Sequence, residues 1–172
     1  MTDASAVARP SQLWKSLAPE RKLRAAEAFW VDEEGGLEQA EAVGLIAQRI
    51  KFRAKSVLTM PVEKKARHLA SFPAVSELVA ARLLVSYHLA HQRPMMGSFL
   101  DALGIAHDNG MIADDDVKAP PLETVRAAAT TIASQYPADD VALYLSTLLW
   151  QDPETWGALA EAPERTAAPA QP

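Results

Sequence analysis

The chain contains no cysteine, and both glycine and aromatic residues are scarce. The missing thiol excludes disulfides, thiolate nucleophiles, cysteine-ligated zinc and iron–sulfur clusters. Seven glycines among 172 residues and an aromatic content of 6% disfavour a turn-rich β-sandwich or β-barrel. In their place the sequence holds 49% hydrophobic residues, and these recur at helical spacing. We therefore expect an all-α protein.

Long hydrophobic runs are missing as well. The longest nearly apolar stretch covers residues 78–90 and is interrupted by Arg82, Ser86 and His88, whereas a bilayer-spanning helix needs about twenty apolar residues. The first ten residues lack the apolar segment of a secretory signal. The sequence thus predicts a cytoplasmic protein with no membrane partner.

Prolines mark the starts of successive helical segments, because proline is tolerated at the first helical position. Segments with helical periodicity follow Pro19, Pro61, Pro73, Pro94, Pro121, Pro137 and Pro153. Residues 74–92 are apolar on nearly all sides, which is typical of a helix surrounded by others. We predict a single-domain orthogonal helical bundle of about seven to nine helices around this central apolar helix. The helical domain should cover residues 11–162, between mobile tails at 1–10 and 163–172.

Charge is divided unevenly along the chain, whose net charge is −5. Residues up to Arg93 include fourteen basic and ten acidic side chains, a net of +4, and the remainder include three and twelve, a net of −9. Residues 49–67 alone hold seven basic residues and one acid. Phe52 lies among these cations, and such a mixture is typical of nucleic-acid stacking surfaces. The candidate nucleic-acid or phosphate-binding residues are Arg49, Lys51, Phe52, Arg53, Lys55, Lys64, Lys65 and Arg67.

Two features disfavour nucleic-acid binding as the main function. The whole chain is acidic, and the helix expected after Pro73 is too apolar to offer a groove-reading face. Residues 49–55 alternate charged and apolar side chains, as a strand can. Since they continue a helical stripe, we interpret them as a helix end with basic residues near its negative dipole terminus.

A small metal-dependent protein is the other alternative, because all four histidines lie between His68 and His107. His88 and His91 are three residues apart on one helix, within reach of a single ion. The candidate metal ligands are His88, His91, His107, Asp101 and Asp108. The H-E-x-x-H pattern of zinc hydrolases is missing, which favours structural, hydrogen-bonded histidines.

The segment 105–116 matches an EF-hand calcium loop only in part. Asn109 and Gly110 fit the fifth and sixth loop positions, but Ile105 and His107 stand where oxygen ligands are required. We interpret the segment instead as a helix that ends at Gly104 in a left-handed cap, followed by a polar turn at residues 108–110.

Signatures of catalysis are missing from the sequence. It contains neither a G-x-S-x-G nucleophile motif nor a glycine-rich phosphate loop, so an enzyme is disfavoured and no cofactor is expected. The leading hypothesis is a non-catalytic helical protein–protein interaction module that self-associates into a homo-oligomer. Trp14, Trp150 and Trp156 lie near the chain ends, and we expect them to be exposed as interface anchors.

Overall fold

The computed structural model describes residues 7–166, and it confirms the all-α class. The described residues form two compact units. The N-terminal unit is Arg9–Ala90, and the C-terminal unit contains the residues from His91 onward together with residues 7 and 8. The expected single helical domain at residues 11–162 stays a prediction.

The N-terminal unit is built from helices alone. These are α1 (Pro10–Ser16), α2 (Pro19–Val31), α3 (Gly36–Ile50), α4 (Ala54–Leu58), α5 (Val62–Ala70) and α6 (Glu77–His91), of which the last residue belongs to the C-terminal unit. Helix α5 packs against α2 and α3, and α3 also contacts α4. Ala25, Phe29, Ile46 and Leu69 are fully buried between these helices, so the helical stripes read from the sequence form the core.

The C-terminal unit combines helices with one short hairpin. Its elements are α7 (Arg93–Leu103), β1 (His107–Asp108), β2 (Met111–Ile112), α8 (Leu122–Ala133), α9 (Ala138–Gln151), α10 (Pro153–Trp156) and two 3₁₀ helices (Gly157–Glu161 and Pro163–Thr166). Helix α8 contacts both α7 and α9. The Phe99 ring meets the Tyr144 ring edge to face, with 5.7 Å between centroids, and lies 5.9 Å from the Trp156 ring. This aromatic cluster lies in the core of the unit.

Ten α-helices in the described residues exceed the predicted seven to nine, because short helices such as α4 have too few residues to show a periodic stripe. The predicted helix at 74–92 begins at Glu77, not directly after Pro73. Ser76 determines this start, since its hydroxyl accepts the Val79 N–H at 3.2 Å and its carbonyl accepts the Ala80 N–H. The position of helix α6 at the centre of the whole bundle stays a prediction.

Several other boundaries agree with the sequence analysis or differ from it by a few residues. Asp152 caps α10 by accepting the Thr155 N–H at 3.1 Å, and Pro153 is the first helical residue, as predicted. The second 3₁₀ helix lies within the predicted tail at 163–172, yet Arg165 is buried and Glu164 accepts the Thr130 hydroxyl. The remaining parts of the two predicted tails lie outside the described residues. Among residues 7–166, no helix is long and apolar enough to cross a bilayer.

Candidate functional site

The basic residues at 49–67 lie on three consecutive helices of the N-terminal unit and in the turn between the first two of them. Helix α3 ends at Ile50 with Arg49 in its last turn, so the predicted helix end holds for residues 49 and 50 alone. Residues 51–53 lie outside any helix, and α4 begins at Ala54. The chain then passes through Phe52 and Arg53 before α4 begins, and α5 follows with the remaining cations. Since α3 contacts both α4 and α5, the structure brings these cations together on one unit.

Two of the seven cations are held against aromatic rings of the same unit. The Arg49 guanidinium lies 4.6 Å from the centroid of the Phe72 ring and donates to the Ser71 hydroxyl at 3.2 Å. The Lys65 ammonium lies 4.6 Å from the centroid of the Trp30 ring. Cation–π contacts of this kind fix the long side chains, so Arg49 and Lys65 contribute to packing as well as to charge.

Exposed cations flank Phe52 in the sequence, and the Phe52 side chain is itself 55% exposed. We define the basic corner as residues 51–58, which contain Lys51, Arg53 and Lys55 and no acid. None of these three cations forms an ion pair with a carboxylate in the described residues. Leu58, at the end of α4, is also exposed. The corner therefore offers unpaired positive charge beside two exposed apolar side chains.

Lys51 has an unusual backbone conformation for a residue with a side chain. Its φ of 56° and ψ of 38° are left-handed, a region that costs residues other than glycine about 1–2 kcal/mol. The conformation closes α3, because the Lys51 and Phe52 N–H groups both donate to the Ala47 carbonyl. Glycine is the common residue at this position, so a lysine here points to a use for its charge.

Replacing Lys51 with glycine is therefore expected to raise the free energy of unfolding by about 0.5–1 kcal/mol, after allowance for the greater backbone freedom of glycine when unfolded. Urea denaturation measures the change. Lys55→Gly is the matched control, since it removes the same charge from inside α4 and should lower stability by about 1 kcal/mol. Equal effects of the two substitutions would contradict the assignment of strain to Lys51.

The five candidate metal ligands do not form a metal site in the structure. Within residues 7–166, no three histidine, aspartate or glutamate side chains are grouped so as to hold an ion. His88 is 3% exposed, and burial lowers its pKa to about 3. Two of the five, His107 and Asp101, are in direct contact, with 3.0 Å between the Nε2 and Oδ1 atoms.

His107 instead holds a hairpin against helix α7. Its Nδ1 accepts the Gly110 N–H at 3.1 Å, so a neutral ring carries its proton on Nε2 and donates it to Asp101. The Arg93 guanidinium donates to the Asn109 carbonyl at 3.1 Å. The ring passes close to Gly97, where a Cβ atom would be only 3.1 Å from the His107 Cε1 atom. These contacts make the hairpin a fixed part of the C-terminal unit.

The hairpin is a structural feature missing from the sequence-based expectation, which contained only a polar turn at 108–110. The cap at Gly104 is confirmed, with a φ of 71° and the Ile105 N–H donating to the Leu100 carbonyl. Beyond it, β1 and β2 pair antiparallel, and Asn109 and Gly110 both have positive φ. This two-residue turn is the type that Asn-Gly favours in hairpins, so the dipeptide was the available signal.

Apolar and acidic side chains project from this hairpin and the residues after it. Met111 is 46% exposed and Ile112 is 38% exposed. Asp108, Asp114, Asp115 and Asp116 are exposed as well, and none of the four forms an ion pair in the part of the chain that the structure describes. We define residues 107–116 as the acidic hairpin segment; it contains no lysine or arginine.

A polar cluster in the N-terminal unit supplies ionic partners for the Arg82 side chain of α6. Arg82 Nη1 lies 3.6 Å from Asp32 Oδ2, and its Nε lies 3.9 Å from Glu38 Oε1. Partial burial opposes ionisation of Asp32. The hydroxyl of Ser86, which donates to Asp32 at 2.6 Å, the Glu34 N–H and the charge of Arg82 outweigh it and lower the pKa of Asp32. The cluster supplies the partners that a half-buried arginine needs.

Two of the three tryptophans expected at the surface are in the core. Trp14 is 0% exposed, and its indole N–H donates to the Phe72 carbonyl at 3.3 Å. Trp156 is 3% exposed within the aromatic cluster around Phe99. The expectation of exposure is wrong for both, since short flanking helices fold these large rings into their units. Trp150 is half-buried.

Comparisons of the chain with protein-family models, with curated proteins and with solved structures gave no match.

Proposed function

We propose that this chain is a non-catalytic helical interaction module that self-associates through oppositely charged surfaces. The observation that carries the proposal is the coincidence of the charge division with the structural one. Arg9–Ala90 contains thirteen basic and nine acidic residues, a net of +4, whereas His91–Pro172 contains four and twelve, a net of −8. Each copy thus carries two folded units of opposite charge, which is the electrostatic complementarity that steers association.

The exposed apolar side chains support the same proposal. Phe52 and Leu58 lie at the positive surface, and Met111 and Ile112 lie at the negative one. Apolar contact supplies much of the free energy of association, while charge mainly sets specificity and rate. Each unit carries both exposed apolar side chains and a net charge. A cytoplasmic location is part of the proposal, and cell fractionation would test it.

Sedimentation velocity of the full chain tests self-association. We expect oligomers at an ionic strength of about 0.01 M that dissociate toward 1 M, because the Debye length falls from about 30 Å to about 3 Å. Circular dichroism at each salt concentration checks that the helices persist. A monomer at every salt and protein concentration would overturn the proposal, and association insensitive to salt would overturn its electrostatic basis.

Native mass spectrometry of the same untagged protein tests the non-catalytic part. The expected masses are integer multiples of the chain mass. A retained metal or small molecule would contradict this part of the proposal and would make His88, His91 and His107 the first residues to replace.

Binding of single-stranded nucleic acid at the basic corner is a second candidate. Exposure of Phe52 between Lys51 and Arg53 favours it, because bases stack on aromatic rings flanked by cations. The net charge of −5 opposes it. Failure of the protein to retard a labelled single-stranded oligonucleotide at low salt would exclude this candidate.

A further inference from the structure

We infer that the basic corner, residues 51–58, is the docking site for the acidic hairpin segment, residues 107–116, of a second copy of this chain. The inference rests on the proposed self-association and identifies the two surfaces that meet. The cations of the basic corner and the aspartates of the acidic hairpin segment form no ion pairs among the described residues.

The two segments are complementary in charge. The corner has three cations and no acid, and the hairpin segment has four acids and no lysine or arginine. A contact between two corners or between two hairpin segments would place like charges together, which opposes association. The pairing of a corner with a hairpin segment is therefore the favoured arrangement.

The two segments are also matched in their apolar groups. Each presents two exposed hydrophobic side chains, Phe52 and Leu58 on the corner and Met111 and Ile112 on the hairpin. An exposed aromatic ring and an adaptable methionine make favourable contacts, since the polarisable sulfur packs well against aromatic rings. Flanking charges then form the polar rim around this apolar centre, as in other interfaces.

Part of each segment is preorganised for binding. The hairpin is held on α7 by His107 and by the bond from Arg93 to the Asn109 carbonyl. At the corner, the left-handed Lys51 closes α3 and turns the chain toward α4. Fixed surfaces lose less conformational entropy on association than flexible loops do. The strained Lys51 also has an explanation here, because its charge would contact the aspartates of the partner.

The contact joins two different surfaces. If a two-fold axis repeats it, the two contacts close an isologous dimer, whereas a single contact per pair is head-to-tail and extends into a ring or a longer assembly. The stoichiometry in sedimentation distinguishes these arrangements, and either one is consistent with the inference.

A charge-reversal pair provides the test. We expect Asp114→Lys/Asp115→Lys and Arg53→Glu/Lys55→Glu each to weaken self-association at least about tenfold. Mixing the two variants should restore a complex at equimolar ratio, because the reversed charges are again complementary. The control matched to the aspartate variant is Glu33→Lys/Glu41→Lys, which changes the net charge in the same direction and by the same amount at exposed positions outside both segments and should leave association nearly unchanged.

Substitutions of the exposed apolar side chains test the apolar contact between the two segments separately. Met111→Ser/Ile112→Ser and Phe52→Ser should each weaken association without loss of helix content, since these side chains are exposed in the single chain. Leu37→Ser is the control, because Leu37 is exposed but lies outside both segments. Circular dichroism and urea denaturation of every variant exclude unfolding as the cause.

The outcomes separate this inference from the proposed function. If the unaltered chain self-associates and neither charge-reversal variant weakens it, the inference is wrong and the interaction module stands. If the unaltered chain is monomeric throughout, both fail. Binding of a single-stranded oligonucleotide that Phe52→Ser abolishes, with self-association unchanged, would assign the corner to nucleic acid and also overturn the inference.

Discussion

Acidification from pH 7 to pH 5 is expected to destabilise this protein by about 2 kcal/mol through His88 alone. Burial lowers the pKa of His88 to about 3 in the folded chain, while an unfolded histidine has a pKa of about 6.5. Between these values the unfolded chain binds a proton that the folded chain does not. The free energy of unfolding therefore falls as the pH falls through this window, by up to about 1.4 kcal/mol per pH unit.

Urea denaturation at several pH values measures this effect in the unaltered chain and in His88→Gln. The variant should lose the His88 part of the pH dependence between pH 7 and pH 5, whatever its absolute stability. Histidine ring resonances in NMR provide a second readout that needs no variant. A His88 ring that titrates near pH 6.5 in the folded protein would contradict the prediction.

Replacing Gly110 with alanine should lower the free energy of unfolding by about 2–4 kcal/mol. The φ of Gly110 is +84°, which a residue with a Cβ adopts at a cost. An added Cβ would lie 2.8 Å from the Met96 Cβ and 3.0 Å from the Arg93 carbonyl oxygen. Both atoms are fixed by the backbone of α7, so relief requires the hairpin to move away from the helix.

Two further alanine substitutions separate the cost of a positive φ from the cost of the steric clash with α7. Gly104 has a φ of +71° but nothing within 4 Å of an added Cβ, so Gly104→Ala should cost only the backbone part, about 1 kcal/mol. Gly157 has a right-handed conformation and open space, so Gly157→Ala should change stability little. Thermal denaturation ranks the three variants. Faster hydrogen exchange at the Ala113 N–H in Gly110→Ala would locate the damage at the hairpin. Equal losses of stability in Gly104→Ala and Gly110→Ala would exclude a steric role for α7.

The Gly110 variant also bears on the interaction surface. A hairpin displaced from α7 no longer presents Met111 and Ile112 in a fixed position. We expect self-association to weaken along with stability, whereas Gly104→Ala should affect association less at a given loss of stability. The comparison tests whether preorganisation of the hairpin matters for binding.

Local chemistry was enough to predict much of the fold. The scarcity of glycine and aromatic residues, the helical stripes and the prolines at helix starts predicted an all-α protein. Asp152 was recognisable as a helix cap and Gly104 as a left-handed helix end, and both are confirmed. These features depend on residues within about one helical turn of each other, which is why a sequence window contains them.

The errors have a common physical origin in contacts between distant residues. Trp14 is buried because the Phe72 region covers it, and Trp156 because Phe99 packs beside it. Burial depends on neighbours that are far apart in sequence, and a position near a chain end says nothing about them. The hairpin was not predicted because each strand has only two residues, too few to show an alternating pattern of apolar and polar side chains.

The sequence by itself determined the helical class, the principal helix caps and the uneven division of charge, since each of these follows from composition or from short-range backbone geometry. Only the tertiary structure decided which histidine is buried, which cations are held on aromatic rings and which stay unpaired. It also showed that the change in charge sign falls at the boundary between two compact units. Those outcomes depend on which side chains are brought into contact when the helices pack, and helical periodicity does not encode that pairing.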